Sequence, residues 1–223
     1  AMADYVVAPA EKVMPLPNNV SYEAAAVVEP LAITLRAAKH AGNLKNKFVV
    51  VYGSGPIGLL TMQCAKFFGA DTIVAVDLIE DRLKMARECG ATATIKPSDD
   101  VAGIIRTMTE GVGADVAFDA VGVTETVNSG VEVVRNGGKV VWVGLGSASI
   151  VFDYKHAVCK EVDFQCSYMY TTEMREGLDM LKTGKMDVER IITGKYPMSE
   201  GPRIFEELVS RRSKDVKVIL YND

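Results

Sequence analysis

Two rhythms of apolar residues alternate along this chain. Nearly unbroken apolar runs of strand length stand at Phe48–Tyr52, Thr72–Val76, Asp115–Asp119 and Lys139–Val143. Between them lie stretches whose apolar positions recur every three or four residues, which predict helices over Ile57–Phe68, Glu80–Cys89, Asp100–Thr109 and Thr124–Arg135. A short strand at Ala93–Ile95 and a sixth at Val162–Tyr170, followed by a helix over Glu173–Leu181, complete the alternation. Apolar strands without polar partners on alternate positions belong to parallel sheets covered on both faces, so the pattern predicts an α/β, doubly wound, six-stranded parallel sheet. The ends break the rhythm. Tyr5–Ala8 reads as a short strand, after which Pro9, Pro15 and Pro17 give irregular chain. From about Gly184 the tail carries an apolar piece at Arg190–Thr193, a helix over Ser199–Val209 and a last strand at Val216–Tyr221.

The turn after the first strand carries the chemistry. Gly53-Ser54-Gly55-Pro56-Ile57-Gly58 joins a strand to a helix start and has the glycine spacing of a dinucleotide site. Gly53 serves the tight turn, Gly55 lets backbone approach a pyrophosphate, and Gly58 lets helix pack on strand. Pro56 suits the first helical position, where its missing N–H is an orphan donor anyway. The remaining free N–H groups and the positive helix end face the phosphates. Asp77 ends the second strand, 19 positions beyond Gly58, close to the roughly 20 expected for a carboxylate that accepts from the adenosine ribose. It favours NAD, since a 2′-phosphate beside it meets a like charge at a cost of about a few kcal/mol. Leu78 and Ile79 follow, with no arginine next to Asp77 to neutralise such a phosphate. Arg82, one helical turn on, either lies over the adenine or is a solvated helix arginine.

Composition removes other classes. The chain has 223 residues and a net charge of −4, without a basic footprint for nucleic acid or a cationic run for a membrane surface. Arg211-Arg212-Ser213-Lys214 reads as a solvated helix end. No apolar stretch is long enough to span a bilayer, and no charged region followed by an apolar segment opens the chain, so a cytoplasmic protein is expected. Cys64, Cys89, Cys159 and Cys166 lack CxxC spacing and read as reduced core thiols. The two histidines, His40 and His156, complete neither a zinc site nor a nucleophile–histidine set. At the strand ends Asp119-Ala120-Val121-Gly122 and Val143-Gly144-Leu145-Gly146, small residues stand at the carboxyl edge where such sheets bind ligands. Asp119 is either a site residue or a turn cap.

Several segments together resemble the medium-chain zinc-dependent dehydrogenases, in the branch of polyol (sorbitol), threonine and butanediol dehydrogenases. They are Ala3-Asp4-Tyr5-Val6-Val7-Ala8-Pro9, Val28-Glu29-Pro30-Leu31-Ala32, Gly53 to Gly58, Val141 to Gly146, and Lys160-Glu161-Val162-Asp163. The resemblance implies a Rossmann domain inserted into a GroES-like catalytic domain. On it, residues 1–30 are a remnant of the catalytic domain, 31–183 the NAD-binding domain, and 184–223 the return to the catalytic domain. It also implies that the part carrying the cysteine, histidine and glutamate of the active zinc precedes this chain, and that the cysteine cluster of a structural zinc is lacking. Glu29 falls at the surviving position of the metal site. A catalytic zinc takes about three protein ligands, so Glu29 alone should not hold one. Read without the resemblance, Glu29-Pro30 simply opens a helix over Leu31–Ala41.

By the same resemblance Gly53, Ser54, Gly55, Pro56, Ile57 and Gly58 cradle the pyrophosphate, and Asp77, with Leu78 and Arg82 beside it, takes the adenosine. Val121, Gly144 and Leu145 line the nicotinamide side, with Ile33 packing near the ring. Tyr168 and Met169 fall where sorbitol dehydrogenases carry Phe-Arg, and Met169 in place of that arginine departs from the polyol pattern. On one strand Tyr168 and Tyr170 would point to alternate faces, with at most one in the site. The implied whole is an NAD-dependent alcohol or polyol dehydrogenase that needs zinc and forms a homodimer or homotetramer through a sheet edge. This chain alone is expected to bind NAD and turn over little or nothing. A catalytically silent NAD-sensing domain and an S-adenosylmethionine methyltransferase are the other readings; Gly58 and the Val-Gly-Leu-Gly strand end weigh against the last.

Overall fold

The computed structural model describes residues 2, 3, 5–210 and 212–222. Its helices are α1 (Tyr22–Ala26), α2 (Val28–Ala41), α3 (Pro56–Phe67), α4 (Glu80–Glu88), α5 (Val101–Met108), α6 (Thr124–Val133), α7 (Tyr154–Cys159), α8 (Glu173–Lys182) and α9 (Gly201–Val209). Its strands are β1 (Phe48–Tyr52), β2 (Thr72–Val76), β3 (Ala93–Ile95), β4 (Ala114–Asp119), β5 (Val134–Trp142), β6 (Asp163–Cys166), β7 (Ile192–Pro197) and β8 (Lys217–Tyr221).

The first six strands form one sheet in the order β3-β2-β1-β4-β5-β6, and every neighbouring pair is parallel. The chain steps outward from β1 through β2 to β3, returns to lay β4 on the other side of β1, and steps outward again. The direction of winding therefore reverses between β1 and β4, and a crevice opens there at the carboxyl ends.

Alternate side chains of each strand feed opposite faces, which explains the unbroken apolar runs. Val49, Val51, Ile73, Ala75 and Phe118 pack beneath α2, α3, α4 and α8. Val50, Tyr52, Val74, Val76 and Ala117 pack against α5, α6 and α7. Burying each valine or leucine fully stabilises by roughly 1.5–3 kcal/mol, so the sheet is held from both sides. Val20, Ala24 and Val27 near one end of the chain and Val188 and Ile191 near the other join the first of these layers. β7 and β8 form a separate parallel pair with α9 between them.

The structure corrects several expectations. No strand forms over Tyr5–Ala8, where Tyr5, Val6 and Val7 lie exposed without a partner strand among the described residues. Asp4 of that segment and Arg211 of the basic tail lie outside the described residues. The helix holding Glu29 starts earlier, at Val28. α6 stops at Val133, and β5 begins at Val134 with a register irregularity against Ala114 and Val116. β6 covers only Asp163–Cys166 rather than Val162–Tyr170, and Met169, at φ 57° in the left-handed region, could not belong to a strand. The alternate-face argument for Tyr168 and Tyr170 therefore fails. Cys64 and Cys89 are buried, whereas Cys159 and Cys166 are exposed and are not core thiols; all four are free.

Candidate functional site

The glycine turn sits at the reversal point, and each glycine there has a measurable reason. Gly53 has φ 89°, and a Cβ on it would stand 2.7 Å from Val121 Cγ2. A Cβ on Gly58 would lie 1.7 Å from the Gly53 carbonyl oxygen, so α3 approaches the turn as only glycine permits. Gly55 differs: nothing lies within 4 Å of where its Cβ would be. Its side is open. Pro56 occupies the first turn of α3, and no side chain caps the helix at Gly55. The first N–H groups of α3 are thus left for an anion, with the helix dipole in their favour.

Asp77 is locked beside this turn. Its Oδ2 accepts the Ser54 N–H at 2.6 Å and its Oδ1 accepts the Ile79 N–H at 2.8 Å. Each oxygen keeps a lone pair for a further donor such as a ribose hydroxyl. Leu78 is 80 % exposed, and Arg82 is half-buried in the first turn of α4.

Across the reversal point, two loops interlock. Asp119, at the end of β4 and 1 % exposed, accepts N–H groups from Val121 and Gly122, while its carbonyl accepts those of Val143 and Gly144. Burial pushes its carboxyl above the usual range, against the pull of the Gly122 and Val121 N–H groups. Asp119 is thus a turn cap. A Cβ on Gly144 would stand 2.3 Å from the Val121 carbonyl carbon, and one on Gly146 would stand 2.5 Å from the Val121 oxygen.

Beside these loops lies a cleft of ≈ 230 Å³. It is lined by Ile33 of α2, Ile57 of α3, Gly144 and Leu145 after β5, and Tyr168 and Met169 after β6. These six expected residues are brought together. Val121 packs against Gly144 in the loop interlock, and neither it nor Gly53, Ser54, Gly55, Pro56, Gly58, Asp77, Leu78 or Arg82 lines this cleft. The sequence reading missed Ala120, Val143 and Ser167, which also line it. Ala120 and Val143 belong to strand ends whose small residues already marked the edge; Ser167 carried no local signal. A larger groove of ≈ 480 Å³ lies at the far end of α3, around Gln63, Lys66 and Phe67, away from the glycine turn.

Glu29 is exposed in the first turn of α2. Among the described residues no three histidine, cysteine, aspartate or glutamate side chains converge as metal ligands, so these residues do not fit a zinc ion. The glycine turn does fit a dinucleotide: α3 starts without a side-chain cap, and nothing lies within 4 Å of where a Gly55 Cβ would stand.

A parallel sheet wound both ways, with a glycine-bounded helix start at its reversal point and an acid closing the next strand, defines the Rossmann class. Residues 56–183, more than half of the chain, match the zinc-binding dehydrogenase family. D-xylulose reductase A of Aspergillus niger is 35 % identical over 225 residues, covering 98 % of this chain and 62 % of that protein. The crystal structure of 2R,3R-butanediol dehydrogenase from Bacillus subtilis superposes with a TM-score of 0.86 at 30 % identity, covering 94 % of this chain and 60 % of that one. A zinc-binding dehydrogenase from Sinorhizobium meliloti 1021, solved bound to NADP, gives a TM-score of 0.89 at 27 % identity over 99 % of this chain and 65 % of that one. The chain belongs to the medium-chain, zinc-binding dehydrogenase family. It spans about 62 % of the length of that curated relative.

Proposed function

We propose that this chain is the NAD(H)-binding part of a zinc-dependent alcohol or polyol dehydrogenase, which passes a hydride between a secondary alcohol and NAD. The observation that carries the reading is the uncapped start of α3 at an open Gly55, tied to Asp77 through the Ser54 N–H. The main-chain N–H groups of α3 receive the pyrophosphate, and Asp77 accepts from the adenosine ribose. Ile33, Ile57, Gly144 and Leu145 hold the nicotinamide ring and keep water from its face. Bound NAD supplies the hydride acceptor. Asp77 favours NAD over NADP, because its charge opposes a 2′-phosphate. In this reading zinc belongs to the whole enzyme. The described residues offer only Glu29 toward it, so turnover by this chain is expected to be negligible.

In the same reading residues 1–30 and 184–223 belong with the catalytic domain and 31–183 with the coenzyme domain. The outer edge of β6 is unpaired among the described residues and is the route to a homodimer by pairing with a second copy. No described helix is long and apolar enough to cross a membrane, and with four free thiols the cytoplasm is the compartment proposed.

Calorimetric titration of the folded chain with NADH and NADPH tests the proposal. Saturable binding of NADH, tighter than that of NADPH, is expected. No heat from either coenzyme at millimolar concentration would sink it.

A further inference from the structure

We propose that Glu173 and Arg36 are positioning residues of the cleft: by fastening Thr171 they set where Tyr168 and Met169 stand, and with them the fit of the nicotinamide half of the coenzyme. The assignment rests on the coenzyme reading above.

Tyr168 and Met169 line the cleft, yet among the described residues no main-chain hydrogen bond ties Tyr168, Met169 or Tyr170 to the rest of the fold. Met169 nevertheless holds φ 57°, a conformation that a residue with a long side chain keeps only when its surroundings impose it. The hydrogen bonds that hold this short segment lie at its two ends. At the first, the Ser167 N–H donates to the Trp142 carbonyl at 2.8 Å. At the second, Thr171 is fastened three times. Its N–H and its hydroxyl donate to Glu173 Oε2 at 2.7 Å and 3.2 Å, and its Oγ1 accepts from Arg36 Nη1 at 3.0 Å.

The clamp is charged. The buried Glu173 carboxylate lies 3.1 Å from Lys39 Nζ and 3.7 Å from Arg36 Nη1, so the acceptor of the Thr171 N–H is itself held by two cations of α2. Hydrogen bonds to an ionised group are stronger than neutral ones. Arg36 stands three positions after Ile33 on α2, and Ile33 lines the same cleft. The bond from Arg36 to Thr171 therefore joins two of the elements that line it. The helix dipole alone explains an acid at the start of α8, but not a carboxylate that accepts from Thr171, outside the helix.

Calorimetry with NADH and ADP-ribose on the wild-type chain, Glu173→Gln and Thr171→Val tests this, together with the methyl NMR signal of Met169 in each, assigned through Met169→Leu. Thr171 is exposed, so Thr171→Val keeps the test decisive should Glu173→Gln fail to fold. Both variants should shift the Met169 signal before any ligand is added. Glu173→Gln should weaken NADH about fivefold and Thr171→Val about threefold. Neither should change the affinity for ADP-ribose, which has no nicotinamide. An unmoved Met169 signal in Thr171→Val overturns the assignment, and so does unchanged NADH affinity in that variant. An equal loss for ADP-ribose also overturns it, because a purely structural role disturbs the whole site. A wild-type chain that binds NADH no better than its variants do removes this assignment alone, whereas one that binds neither NADH nor ADP-ribose removes the coenzyme reading with it.

Discussion

The backbone N–H of Ser54 donates to Asp77 Oδ2 over 2.6 Å, which makes the glycine turn and the end of β2 one unit. The acid that would meet the ribose thus also sets the turn that would meet the phosphates. Asp77→Ala should therefore do two things at once. It should lower NADH affinity by about tenfold or more and reduce the preference over NADPH, since the repulsion of a 2′-phosphate goes with the charge. It should also cost roughly 1–2 kcal/mol of stability through the unpaired Ser54 N–H. Calorimetry with both coenzymes and a urea titration read the two effects separately; an unchanged coenzyme preference would remove Asp77 from the discriminating role.

Gly55 and Gly58 give a paired test of the turn. Alanine fits at Gly55, where φ −77° and ψ −175° are ordinary and the space is open, so stability should stay within about 1 kcal/mol of wild type. NADH affinity should nevertheless fall more than about tenfold, because the new methyl stands where a phosphate would approach. Gly58→Ala should instead unfold or severely destabilise the chain, by more than about 3 kcal/mol, since its Cβ would overlap the Gly53 carbonyl. Thermal melts and NADH titrations of both variants check the contrast, and equal stability losses would contradict it.

Glu173 makes the fold sensitive to acid. Its side chain is 4 % exposed; burial pushes its carboxyl up, but the Thr171 N–H and the Lys39 ammonium more than reverse this and hold it at about 2. A carboxyl depressed in the folded state stabilises above its unfolded value near 4.5, and that contribution is lost as pH falls from there through about 2. Glu173→Gln should lower stability at neutral pH by on the order of 2–3 kcal/mol and flatten the acid dependence below pH 4.5. Denaturant midpoints measured across that window decide it.

Lys160 gives the Lys160-Glu161-Val162-Asp163 segment a structural meaning. Its Nζ donates to the carbonyls of Val131 and Glu132, both at 2.8 Å, and so caps the last turn of α6. Burial holds its ammonium below the usual lysine range. Lys160→Met keeps the stem and removes the donors. It should cost about 1–2 kcal/mol, visible as a lower melting temperature with little change in NADH affinity.

What the sequence made legible follows the reach of each interaction. The glycine turn and Asp77 could be read because their requirements are local: one turn, one helix start and a fixed spacing. β1, β2 and β4 could be read because central strands buried on both faces must be apolar throughout. The end of β6 could not, since nothing in Tyr168-Met169-Tyr170 announces a left-handed methionine. Ser167 escaped for a related reason: its burial is set by β5 beside it and by α2 and α3 across the cleft, not by its neighbours in sequence. Asp119 stayed open between site residue and cap until the Val121 and Gly122 N–H groups were seen on it. The exposure of Cys159 and Cys166 likewise depends on an edge that only the assembled sheet defines.

The interlock of Gly122, Gly144 and Gly146 has a bearing on how this cleft can be altered. At all three positions a methyl group would strike main-chain atoms of the opposing loop, so that side of the cleft is closed to redesign. Tyr168 and Met169, exposed at 71 % and 43 %, meet no such barrier. Variation in what this fold accepts, whether by selection or by engineering, should therefore concentrate on the segment just after β6.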